Sequence, residues 1–260
     1  MEFLARLHRH DRAIVVAIML AVILASWAYL LVGVDMPMPE MPGMAMPMDM
    51  PVWTTGYFAL TLLMWMAMMT AMMLPSAMPM LLFYDSIARK RGAQTTAVGS
   101  TSLFGLGYLV VWLGFSIGAV LLQYAFDKAS LLSPMMEITS IALAGVILVS
   151  AGVYQWTPLK QSCLRQCRSP LDFIMTRWRG GNRGAFQMGL RHGMLCLGCC
   201  WMLMLLLFVG GVMNVAWIAG IALFVMVEKL APAGHWIGKV ASLVLIVWGA
   251  AVLVSLVPTV

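Results

Sequence analysis

Residues 192–200 read HGMLCLGCC. On a helix, His192, Cys196, Cys199 and Cys200 follow at offsets of four, three and one and share an arc of about 100°. Met188 extends that face. One imidazole and two or three thiols on one helix face form a metal-ligand arrangement. A single buried cysteine is usually a small apolar side chain, but four such residues on one face favour chemistry over packing. A second pair, Cys163 and Cys167, lies in TPLKQSCLRQC. Thr157-Pro158 reads as an N-cap and first helical residue, and the i, i+4 spacing puts both thiols on one face. Lys160, Arg165 and Arg168 are close in sequence and should favour the thiolate.

The second soft donor is methionine, of which the chain has 26. Residues 64–80 read MWMAMMTAMMLPSAMPM. Met66, Met69, Met73 and Met80 fall within an arc of roughly 60°, Met72 lies beside them, and Met64 and Met68 point the other way. Adaptable core packing explains such a stripe as well as metal binding does. Pro75 and Pro79 sit inside it and suggest a broken helix, which a membrane tolerates where backbone is buried in protein. Residues 36–50 read MPMPEMPGMAMPMDM, seven methionines among four prolines: Met36, Met38, Met41, Met44, Met46, Met48 and Met50. The prolines forbid a regular helix. A loop has little packing use for so much apolar sulfur, whereas thioethers select Cu(I) and form no disulfides on an oxidising face. The competing reading is an apolar loop lying on the membrane.

The elements that must hold these residues follow from composition. The 260 residues are 62% hydrophobic and 10% charged, against about a quarter charged in a soluble domain. A spanning helix needs about 20 apolar residues. The sequence offers seven such stretches, at 11–34, 55–84, 98–123, 133–156, 187–209, 212–230 and 235–257. They are continuously apolar and not alternating, which favours helices over a barrel. The fold expected is therefore all-α, a polytopic membrane bundle of about seven helices forming a single membrane domain over 1–260. It carries a Met-rich outer loop at 36–54 and a basic, Cys-containing cytoplasmic loop at 157–186. The first stretch is too long for a signal peptide and reads as an uncleaved helix. Ser133-Pro134 reads as the N-cap of the fourth, and Gly210-Gly211 as a tight turn into the sixth. Ser169-Pro170-Leu171-Asp172 opens a short interfacial helix carrying Leu171, Phe173, Ile174 and Trp178. Gly193 and Gly198 leave room for a neighbouring helix, which could be the methionine stripe. Glu137 and Glu228 read as ordinary helix-terminal residues.

With the N-terminus inside, fifteen of the sixteen Lys and Arg fall on the inner side and only Lys128 on the outer. That asymmetry sets the N-terminus inside and the C-terminus outside. The net charge of +6 is thus an orientation signal. No basic run interleaved with aromatics supports nucleic-acid binding.

The runs WMAMMTAMMLPSAMP, YQWTPLKQSCLRQCRSPL, HGMLCLGCCWMLMLLLFVGGVMN and VEKLAP resemble the bacterial family of predicted metal-binding integral membrane proteins, formerly a domain of unknown function. The likeness covers nearly the whole chain from residue 55. It implies a link to copper delivery to exported or membrane copper oxidases. It also implies functional roles for Met66, Met69, Met72, Met73, Cys163, Cys167, His192, Cys196, Cys199 and Cys200. The outer methionine loop is no part of that pattern, and its role rests on its residues.

Three functions compete. The leading one is a non-enzymatic copper(I) chaperone or transporter of the bacterial inner membrane. It would pass Cu(I) between the outer loop, the membrane stripe and the inner Cys/His ligands. Its partners would be the lipid bilayer and a copper oxidase or another copper chaperone, with no nucleic acid. The second is a membrane thiol–disulfide oxidoreductase, which is poorly served by cysteines confined to the reducing side. The third is a non-catalytic subunit of a larger membrane complex. Zinc or haem iron would also suit some of these ligands. The charge asymmetry makes one expectation directly testable: fusion reporters at Val260 and within 171–183 should report opposite sides of the membrane. Reporters on the same side would overturn the seven-span arrangement.

Overall fold

The computed structural model describes residues 2–35, 53–90, 97–133 and 135–256. The methionine-rich run 36–50 lies outside them. Among the described residues nine α-helices follow in order: α1 (Glu2–Asp35), α2 (Thr55–Lys90), α3 (Ala97–Lys128), α4 (Ile141–Tyr154), α5 (Pro158–Arg168), α6 (Pro170–Arg177), α7 (Gly181–Leu205), α8 (Val215–Leu230) and α9 (Gly234–Val254). The described residues contain no strand beyond an isolated antiparallel bridge between Leu132 and Ile138.

Among the described residues, five helices are long and apolar enough to cross a membrane: Ala13–Val32, Thr55–Lys90, Val98–Lys128, Gly181–Phe208 and Trp236–Val254. The fourth and sixth expected stretches also fold as helices, but α4 has 14 residues and α8 has 16. At 1.5 Å per residue they reach about 21 and 24 Å, short of the ~30 Å hydrocarbon core. The N-cap expected at Ser133 moves to Ser140, whose side chain accepts from the Leu143 amide. The bridge between Leu132 and Ile138 instead claims the chain before it. Thr157 and Pro158 do start α5 as their types suggest, and α5 leaves α4 at 62°.

The two prolines of α2 do not break it. The helix continues through Pro75 and Pro79 to Lys90. Each proline removes one backbone donor, whereas a full break in an apolar setting would strand several peptide groups. Residues 68–74 are buried without interruption, so α2 is a central element, together with α7. By contrast α1 and α9 leave most of their apolar side chains on the outer surface, the side lipid would cover.

Small residues set how closely α7 meets its neighbours. A Cβ on Gly189 would run into the Phe104 backbone, and one on Gly107 into the Phe186 backbone. The α3–α7 seam is therefore a backbone-to-backbone approach, of the kind that membrane helices use in place of a hydrophobic driving force. Gly193 continues the seam against Val111 and the Tyr108 carbonyl, so its partner is α3 and not the methionine helix. The turn into α8 uses Gly211 at φ +88, the left-handed region open to glycine.

This seam predicts a position-specific cost. Gly189→Leu should force the two backbones apart and destabilise the bundle by about 2 kcal/mol or more. Gly99 on α3 faces open space, so Gly99→Ala should be neutral or slightly stabilising. Thermal unfolding in detergent compares the two, and equal melting would disprove the seam.

Candidate metal centre

The α7 register fixed by that seam turns Cys196, Cys199 and Cys200 inward, each with about 1% of its surface exposed. All five cysteines are free thiols. Cys199 Sγ donates to the Cys196 carbonyl at 3.0 Å, and Cys200 Sγ to the same carbonyl at 2.9 Å. Thiols aimed back along their own helix in this way are held in one rotamer each.

Three other helices bring partners. From α2, Met73 Sδ lies 3.8 Å from Cys200 Sγ. From α3, the Tyr108 hydroxyl donates to the Met73 carbonyl at 3.1 Å and sits 3.1 Å from Cys196 Sγ. From α8, Lys229 Nζ donates to Cys196 Sγ at 3.0 Å and to Ser76 Oγ at 3.2 Å. Met69, Met72 and Met80 are buried on α2 alongside Met73, and Met66 is half-buried. Met68, expected on the opposite face, is fully buried too, because α2 is surrounded.

The α5 cysteines reach the same place from one end of the bundle. Cys167 lies beside Cys199. Cys163 lies under Gly198, where a Cβ would come within 2.8 Å of its Sγ. Two clusters far apart in sequence thus come together at Gly198 and Cys199. Gly198 therefore makes room for α5. The basic neighbours of α5 do not act as its sequence suggests. Lys160 turns away to pair with Glu228 at 2.8 Å, and Arg168 donates to the Ala231 and Pro232 carbonyls at 2.6 and 3.0 Å.

His192 stands one turn before Cys196, buried among the rings of Tyr108, Phe104 and Phe173 at centroid distances of 5.8, 6.0 and 5.7 Å. Its Nδ1 has no hydrogen-bond partner among the described residues. Among those residues, no three His, Cys, Asp or Glu side chains converge on one point. The sulfurs and the imidazole follow one another along α7 and do not close into a four-ligand cage. A basic recess of about 700 Å³ opens beside them, lined by Arg177, Arg179, Arg191 and Met188 among others. In α6, Phe173 and Ile174 face the bundle while Leu171 and Met175 are exposed, as an interfacial helix requires.

Sequence reading missed Lys229, Tyr108 and Ser76. It also took Glu228 for a helix-terminal residue, although Glu228 is 2% exposed and ion-paired. The available signal was the Glu228-Lys229 pair at the end of an apolar stretch, since ionisable groups in such places are seldom idle.

The described residues form an all-helical bundle with apolar outer helices and a central line of thiols and thioethers, a membrane-type bundle with soft donors inside. The family model described as PpoB2, copper chaperone, matches residues 62–252. The chain belongs to that family, which bears out the resemblance drawn from its motifs. No curated protein and no solved structure matches it. The matched region holds the α2 methionines and all five cysteines, and begins after the 36–50 run.

Burial predicts a labelling pattern. A bulky polar maleimide should modify at most Cys163 and Cys167, both half-buried, in the folded protein, and all five thiols after denaturation. Labelling of Cys196, Cys199 or Cys200 in the folded state would refute the packing described.

Proposed function

We propose that this chain is a Cu(I)-binding integral membrane protein of the bacterial inner membrane that hands copper to an exported or membrane copper enzyme. Family membership carries the copper role and implies a non-catalytic one. The observation that supports a membrane-embedded handover is the meeting of Met73 and Cys200, 3.8 Å apart between α2 and α7. A neutral thioether beside a thiol lets a soft ion exchange one donor at a time.

In this reading copper is cargo. Met66, Met69, Met72 and Met73 form the weaker, neutral donors. Cys196, Cys199 and Cys200, with His192 one turn away, form the tighter ones, and Cys163 and Cys167 extend them to the end of the bundle. The outer methionines of 36–50 would collect or release the ion on the other side. The bundle then comprises seven spans, with α4 and α8 as short ones packed inside the others, the N-terminus inside and the C-terminus outside.

The chain's own residues have definable tasks. The Tyr108 hydroxyl ties Met73 to Cys196. The Lys160–Glu228 ion pair, with side chains 1% and 3% exposed, holds α5 against α8 and so keeps Cys167 at Cys199. Ionising thiols in an apolar interior is costly, so the empty thiols should be inert, and a bound monovalent ion would offset that cost by neutralising thiolate charge.

The test is metal content of protein purified anaerobically after copper loading. Cys199→Ser should lower copper per chain severalfold with the helical content unchanged. Changing all seven loop methionines to leucine should weaken Cu(I) binding without altering insertion. Equal ratios in wild type and Cys199→Ser would overturn the site, and unchanged binding in the loop variant would remove the loop from the path.

A further inference from the structure

Met64 stands apart from the α2 methionines that approach the thiols. It is half-buried and lines a recess of about 290 Å³ at the end of α8 opposite Lys229, between Tyr29 of α1, Tyr57 of α2 and Val215 of α8. Two further thioethers line the same recess: Met136 from the turn before α4, and Met213 from the turn before α8. Both are half-buried. Three widely separated parts of the chain thus each bring one soft sulfur to one place.

Packing is the ordinary use of methionine, whose flexible chain fills irregular gaps. These three leave theirs open. Met136 is also held there against its backbone preference. It lies at φ +56, a region that non-glycine residues seldom occupy, and its amide donates to the Ser133 carbonyl at 2.9 Å. Its sulfur accepts from Gln123 Nε2 at 3.1 Å. Gln123 is 2% exposed, and its Oε1 accepts from Trp65 Nε1 at 2.7 Å. An indole nitrogen only donates, so the amide oxygen is fixed toward Trp65 and the NH2 group toward the sulfur. A thioether is a weak acceptor for a buried amide. The contact orients the sulfur, as outer contacts orient metal ligands, and leaves its second lone pair for another partner.

We propose that Met64, Met136 and Met213 form a second, all-thioether site for Cu(I), separate from the thiol centre. The proposal rests on the copper reading given above and adds to it a place where the ion enters or leaves the bundle. Neutral thioethers select Cu(I) by softness and need no ionised group. The recess opens at the surface, where Tyr29 and Leu60 are exposed, and tyrosines are enriched where bilayer meets water. The site also has a route inward. Met68 and Met72 follow Met64 at steps of four residues, about 6 Å each along α2, and both are buried. Met73, next to Met72, meets Cys200. At the other side, α1 ends at Asp35 and α2 begins at Thr55, so the methionine run 36–50 is joined at its two ends to the helices that carry Tyr29 and Tyr57.

The experiment maps methionine oxidation by hydrogen peroxide, residue by residue in a mass spectrometer. It uses the full chain in detergent and chloride-free buffer, with and without Ag(I) as the probe. A coordinated thioether is shielded from conversion to the sulfoxide. Without Ag(I), Met64, Met136 and Met213 should oxidise faster than the buried Met68 and Met72. With Ag(I) they should oxidise at least fivefold more slowly, while the exposed Met175 and Met194 keep their rates. The protection should persist in Cys199→Ser. Replacing the three by leucine, which keeps their bulk, should remove one Ag(I) per chain. If Ag(I) binds but leaves all three unprotected, the proposal falls and the copper reading stands. Protection that disappears in Cys199→Ser would make the recess part of the thiol centre. Three methionines already inert without Ag(I) would mean a recess filled by packing or lipid. Either result overturns a separate site. If wild type binds no Ag(I) at all, the copper reading falls too.

Discussion

Cys196 is where α3, α7 and α8 meet, with α2 tied in through Met73 and Ser76, and the rest of the bundle is arranged around the demands of that meeting. Its sulfur receives the Lys229 ammonium from α8 and touches the Tyr108 hydroxyl from α3. Its carbonyl receives the two neighbouring thiols of its own helix. Burying a charged amine in an apolar bundle is costly unless each donor finds a partner. Here the partners sit on separate helices, so the polar contacts fix the mutual register of α2, α3, α7 and α8. Apolar side chains alone could not do this, since lipid tails compete equally well for them. The α3–α7 glycine seam supplies the remaining constraint by bringing Tyr108 close enough to bridge α2 and α7.

A second set of polar contacts explains why a charged helix belongs to the core of a membrane bundle. The α5 sequence PLKQSCLRQCR is amphipathic and carries three basic residues, so it cannot span. It turns away from α4 at Thr157-Pro158 and lies against α7 at Gly198 and Cys199. Lys160 reaches Glu228 from there, and Arg168 binds the carbonyls beyond the α8 terminus, which attract cations. Leu164 is buried beneath the helix. These contacts hold Cys163 and Cys167 under Gly198 and Cys199. Replacing Gly198 with any larger residue would push on the Cys163 sulfur. The thiol line thus depends on an absent side chain as much as on the ones present.

Much of this was legible from residue types. Continuous apolar runs gave the helices, and the four-three-one spacing gave the inward face of α7. Thr157-Pro158 gave the start of α5, because capping chemistry is local. What was not legible depended on tertiary partners. The prolines of α2 suggested a break, but neighbours on several sides keep the helix intact. Ser133-Pro134 offered a good cap, but the Leu132–Ile138 bridge claimed that stretch and left Ser140 to do the work. Lys229 was counted as one more basic residue at an inner helix end. Only the position of Glu228, engaged by a lysine 68 residues away, leaves Lys229 facing the thiols. A sequence shows that an ion pair is available in Glu228-Lys229, but not that each member is paired elsewhere.

The order of donors along the bundle follows from the same constraints. Thioethers cluster on α2, where residues 68–74 are buried and apolar but for Thr70 and where neutral ligands need no charge compensation. Thiols cluster on α7, at the level where Lys229 and Ser76 supply polar contacts. A thiolate placed among the α2 methionines, away from Lys229, would face the full desolvation penalty. A thioether placed at Cys196 would remove the thiol sulfur to which Lys229 donates. Exchanging the two sulfur chemistries would therefore destabilise both regions. The gradient from neutral to ionisable sulfur is fixed by where one buried amine can be held, and that place is set by the α8 terminus, the Arg168 contacts beyond it and the hydroxyl of Ser76.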